Sequence, residues 1–109
     1  MFAFVAEFVG TLVFAIIVLV VLISVSSNLL FWTSLSIGLG LALGIWVCLL
    51  MGGPGYLNPA IAVLVGVKDK KSTAFTSAMI GAEFAAVLLV LAIYSFWNSS
   101  NPCSSSSPS

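Results

Sequence analysis

The sequence predicts an all-α membrane protein with three transmembrane helices and one re-entrant half-helix. Three observations predict it. Of the 109 residues, 61% are hydrophobic and only 6% are charged, with a mean hydropathy of +1.28. An ordinary soluble domain carries about 25% charged residues. Three lysines and three acids cannot solvate so apolar a globule, so the solvent for most of the chain is lipid. Secondly, three apolar runs each exceed the roughly 20 residues that a bilayer crossing needs. Thirdly, a fourth apolar stretch is far too short to cross, and it lies between a glycine-rich break and the lysine cluster.

The first run extends from Phe2 to Val25, interrupted by Glu7 and a few small polar residues, and Ser24, Ser26, Ser27 and Asn28 mark a turn at its end. No basic residue precedes it, so it is not expected to act as a signal peptide. The second run, Leu29 to Met51, carries no charge. Gly52-Gly53-Pro54-Gly55 then breaks any helix, because glycine is conformationally costly and proline lacks the N–H. The short stretch Pro59–Val67 follows. At 1.5 Å per residue it reaches about 13 Å, less than half of a roughly 30 Å hydrocarbon core. A half-helix dipping in from one face, its irregular approach shielded by protein, accounts for both the glycines before it and the lysines after it. The third long run covers Ala74 to Trp97. Residues 1–97 thus form one membrane module. Residues 98–109 form a Ser-rich tail too polar to fold alone.

Lys68, Lys70 and Lys71 lie together between the second and third spans. The positive-inside rule places that loop and the N-terminus in the cytoplasm and the tail outside. Asn98-Ser99-Ser100 is a glycosylation sequon in that tail, but it lies next to the membrane, and a solvated tail is the simpler reading.

Several chemistries are excluded. With no Arg and no His there is no basic patch for nucleic acid. Cys48 sits in an apolar run and Cys103 in the tail, without metal-ligand spacing, so no metal or other cofactor is expected. No nucleophile–base pair is available, so the chain does not read as an enzyme.

Asn58-Pro59-Ala60 opens the half-helix. Asn is a strong N-cap and Pro is favoured at the first helical position, so the tripeptide alone is compatible with an ordinary helix start. Its surroundings resemble the aquaporin and glycerol-facilitator family. Ala6-Glu7-Phe8-Val9-Gly10-Thr11-Leu12-Val13-Phe14 is similar to that family's first-helix signature. Ser36-Ile37-Gly38-Leu39 resembles the second helix, Gly53 to Ile61 the first pore loop, and the pair Gly81-Ala82 the third span. The order and spacing of all four agree over about residues 3–96. The resemblance implies the first of two inverted repeats, that is, half of an aquaporin-like fold.

The resemblance also implies roles. The Asn58 amide would donate to a passing water, and Pro59 and Ala60 would pack against a second half-module. Facing half-helix N-termini, each with about half a positive charge, would repel cations at the pore centre. Glu7, Gly10, Thr11 and Phe14 share one helix face by their i, i+3, i+4, i+7 spacing. In the family the matching Glu braces the pore loop by accepting backbone hydrogen bonds. A carboxylate snorkelling to the interface is the alternative for Glu7. Tyr56 stands where the family usually has His, and Ala62 where Thr is common. The filter aromatic of the second helix falls at Ile37 or Gly38, neither of which carries a ring. With no Arg either, a wider, less selective mouth is expected. Gly40-x-x-x-Gly44 and the row Ala78, Ala82, Ala86 read as close helix packing, together with Gly81. Glu83 has no counterpart in the resemblance. Lining the pore, pairing at a dimer interface and standing protonated all remain open for it.

The expected function is a subunit of a passive channel for water and small neutral solutes such as glycerol. A homodimer, with one copy inserted upside down, or a separate partner half would complete the pore. The alternative is a non-conducting channel remnant, or a membrane protein that modulates a full-length channel. A proton-coupled transporter using Glu7 and Glu83 as relay sites ranks behind both.

Overall fold

A computed structural model of the chain describes residues 2–24 and 30–100. The described residues are all-helical, with no strand among them. They comprise α1 (Phe2–Ser24), α2 (Leu30–Leu50), α3 (Pro59–Lys68) and α4 (Thr73–Ser100). Three of these are long and apolar enough to cross a membrane: α1, α2 and α4. Their outer faces carry Leu22, Phe31, Trp46 and Phe96 exposed, a surface that only lipid can solvate. The third helix, α3, has 10 residues and is about 15 Å long. α4 continues to Ser100, three residues beyond the expected boundary, so the sequon Asn98-Ser99-Ser100 is helical. Residues 101–109 of the expected tail, with Cys103, lie outside the described residues, as do residues 25–29, where the sequence predicts a turn.

The helix α1 is the central one. It packs against α2 on one side and α4 on the other, while α3 packs on α4. The α1–α2 crossing is antiparallel and built on glycine. A Cβ on Gly10 would lie 2.8 Å from the Gly44 carbonyl oxygen, and a Cβ on Gly44 would lie 2.8 Å from that of Gly10. One turn away, a Cβ on Gly40 would meet Ile17 Cγ2 at 2.6 Å. The two backbones approach closely because neither glycine has a side chain. This is the association by small residues that apolar helices use in lipid.

On α4 the buried face is Met79, Ala82, Glu83, Ala86 and Val90. Gly81 departs from the expected packing role. It is exposed, and nothing lies within 4 Å of a Cβ built on it. The cause is helix geometry: one residue is about 100° of rotation, which turns Gly81 off the Ala82–Ala86 stripe. The partners of α3 are set by small residues too. Ala62 packs with Tyr56 and Met79, and Gly66 lies against Thr76. The helix closes through Asp69 N–H to Val65 O at 2.8 Å and Lys71 N–H to Gly66 O at 2.8 Å, with Lys70 at φ 55°. Ser72 Oγ accepts from Phe75 N at 3.0 Å and caps α4.

Candidate functional site: a loop clamped by a buried carboxylate

Between α2 and α3 the chain runs irregularly from Met51 to Asn58, and each backbone donor there needs a partner. Gly52 N–H bonds Leu49 O at 3.0 Å and Gly53 N–H bonds Cys48 O at 2.9 Å. Gly55 N–H donates to Cys48 Sγ at 3.3 Å. Tyr56 N–H donates to Glu7 Oε2 at 2.8 Å and Leu57 N–H to Glu7 Oε1 at 3.0 Å. Glu7 is fully buried, so it does not snorkel. Each of its oxygens holds one loop N–H, and the lever reaches across 49 and 50 residues of sequence.

This clamp explains an otherwise costly conformation. Leu57 has φ 57°, a left-handed geometry that disfavours a residue with a Cβ. The two successive N–H groups that lead into this turn both end on the Glu7 carboxyl. The Leu57 side chain, 4% exposed, is wedged where α1 and α2 cross, and packs in one cluster with Ala6 and Cys48. Its methyls lie 3.2 Å and 2.6 Å from where a Cβ on Gly10 or Gly44 would stand. Gly53 is constrained similarly, since a Cβ there would collide with the Ala6 Cβ and lie 2.7 Å from Cys48 Sγ. Glycines on α1, α2 and the loop therefore make the space into which the loop is clamped.

The clamp delivers Asn58 to the start of α3. Asn58 is extended, with φ −140° and ψ 127°, and its Oδ1 accepts from Ala60 N at 2.8 Å. Pro59 occupies the first helical position, where its missing N–H leaves nothing unsatisfied. With Oδ1 engaged by Ala60, the side-chain amide Nδ2 is the donor that Asn58 offers outward. Asn58 and Ala60 are exposed on the module surface. Asn58 therefore combines a fixed orientation with an open donor, beside the N-terminal end of a helix dipole.

The other sequence-derived residues separate into groups. Gly10 and Tyr56 belong to the clamp, Tyr56 through its backbone N–H and a buried side chain. Thr11 is buried beside Leu57 but makes no hydrogen bond to the loop, so its support is by packing. Ile37 and Gly38 lie about two turns, or roughly 10 Å, along α2 from Gly44, which touches Leu57. Gly38 is exposed with open space around it. The structure does not bring this pair to Asn58. Two participants escaped the sequence reading. Cys48 reads as a small buried side chain, whereas its sulfur accepts from Gly55 and shapes Gly53. Leu57 carries no glycine or asparagine signal for a positive φ. No family model, no curated protein and no solved structure matches the chain.

Proposed function

We propose that the chain is an aquaporin-type half-channel module, residues 1–97, conducting water and small neutral solutes such as glycerol when a second half-module completes the pore. The observation that carries this reading is the Glu7 clamp on Tyr56 and Leu57. It holds the Asn58 amide, exposed and oriented, at the N-terminus of a helix too short to cross a bilayer. An amide donor fixed there can hydrogen-bond a passing water oxygen, and the helix dipole beside it disfavours a cation. The residues of the Ala6–Phe14 signature and the Gly53–Ile61 loop, similar to those of the family, are the residues that meet in this site.

Asn58 lies on the surface of one module, so a pore needs a facing wall. A second copy inserted in the opposite sense, or a partner half, provides it in this reading. The lysine-bearing α3–α4 loop is assigned to the cytoplasm by its charge. The lipid bilayer is the module's solvent and no cofactor takes part.

The test is osmotic shrinking of liposomes carrying the purified chain, followed by stopped-flow light scattering. Empty liposomes and Asn58→Asp run beside it. Fast shrinking that Asn58→Asp abolishes is the expected result. Shrinking no faster than empty liposomes, with the protein inserted and helical, overturns a self-assembled channel. Adding a candidate full-length channel then tests the modulating role.

A further inference from the structure

The clamp leaves one buried carboxyl unused. Glu83 is 2% exposed, and neither of its oxygens has a hydrogen-bond partner among the described residues. Thr11 is 3% exposed, and its Oγ1 is equally without a partner there. The parallel packing of α1 and α4 puts these groups in one neighbourhood. Near one end, Ala3 packs on the cluster of Tyr56, Ala62 and Met79. Further along, Thr11 shares a groove with Leu57 and Val87. Glu7 lies one turn from both Ala3 and Thr11 on α1. Glu83 lies one turn from both Met79 and Val87 on α4. The two carboxyls are therefore level with each other, beside the Tyr56–Leu57 backbone, and Thr11 is one turn further along.

The backbone donors nearby are already committed. Tyr56 and Leu57 N–H go to Glu7, and Gly55 N–H goes to Cys48 Sγ. The lysines are all at the far end of α3, exposed, and Lys68 pairs with Asp69 at 3.1 Å. No described residue supplies Glu83 with a donor. A buried polar atom left without a partner costs about 1–3 kcal/mol. Interiors meet this cost with bound water, each molecule making about three hydrogen bonds.

We propose that water is bound in the α1–α4 seam, bridging the Glu83 carboxyl and the Thr11 hydroxyl behind the loop that carries Asn58. A carboxyl presents an acceptor oxygen in either proton state, and a threonine hydroxyl can both donate and accept. Thr11 stands at the edge of a groove lined by Phe14, Val18, Val87 and Leu91. Its apolar wall offers water no other partner, which confines it to the polar end. The site is separate from the outward donor of Asn58, and it stands whether or not the chain conducts.

X-ray radiolytic labelling of the full chain in lipid nanodiscs tests this, because radicals generated from bound water oxidise the side chains next to it. Met79, 2% exposed and one turn from Glu83, is the reporter, and Met51, 39% exposed, is the internal control. The expected result is oxidation of Met79 at a rate comparable to Met51. That oxidation falls to the unirradiated background in Thr11→Val combined with Glu83→Leu, while Met51 is unchanged. Should the double variant fail to insert, Thr11→Val alone, nearly isosteric, is expected to lower Met79 labelling. A Met79 that stays at background in the unaltered chain overturns the proposal. So does labelling that persists unchanged in the inserted double variant, or in Thr11→Val where that single variant replaces it.

Discussion

Replacing Glu7 with Gln separates the clamp from the bulk of the buried side chain. Glu7 uses both oxygens, one for Tyr56 N–H at 2.8 Å and one for Leu57 N–H at 3.0 Å. Gln keeps the length and shape but offers one acceptor oxygen and one NH2. Whichever way the amide turns, one loop N–H faces another donor. That loses one hydrogen bond and leaves a buried N–H unmade, a cost of about 1–3 kcal/mol. The penalty falls on a loop already holding Leu57 at a strained φ of 57°. At about 1.4 kcal/mol per tenfold, local opening becomes roughly 5- to 150-fold more frequent. Hydrogen exchange of the Tyr56 and Leu57 amides in proteoliposomes reads this directly. The expected result is faster exchange at those two amides in Glu7→Gln, with the α1–α2 crossing around Gly44 unaltered. Unchanged exchange at both, in protein shown to be inserted and helical, refutes the clamp as the force that sets the loop.

Other outcomes follow from the same contacts. Gly44→Ala places a methyl 2.6 Å from Leu57 Cδ2 and 2.8 Å from the Gly10 carbonyl. Overpacking of this kind costs about 1–3 kcal/mol and lowers the melting temperature in detergent. Gly81→Ala meets open space and changes stability by no more than about 0.5 kcal/mol in the same assay. Leu57→Ala empties the wedge between Gly10, Gly44 and Cys48, for a loss of about 2–5 kcal/mol by thermal melting. Asn58→Asp retains an oxygen that caps Ala60, since Asp is as good an N-cap as Asn. Its melting temperature is therefore unchanged while osmotic permeability falls, which separates a conduction role from a folding one.

What the sequence made legible divides along physical lines. The three long helices were legible because an apolar run of that length has only one solvent and, in it, nearly one conformation. Pro59 and Asn58 announced α3 because capping chemistry is local. Glu7 was visible as a charge inside an apolar run, yet only the fold shows which of brace and snorkel it adopts, since its partners are 49 and 50 residues away. Gly44 and Gly81 look alike in sequence, but one lies at a helix crossing and the other on an open face. Periodicity places residues on faces without saying which face meets a neighbour. Leu57 was illegible for a deeper reason. Its left-handed backbone contradicts its local preference and is held there by a distant carboxylate and by the glycines that admit its side chain. Local preference and tertiary contact disagree at Leu57, and the disagreement is what fixes Asn58. A loop that relaxed on its own would leave the amide free to turn. A loop strained at Leu57 and tied down by Glu7 presents Asn58 in one orientation, so the direction of that donor depends on a side chain one helix away.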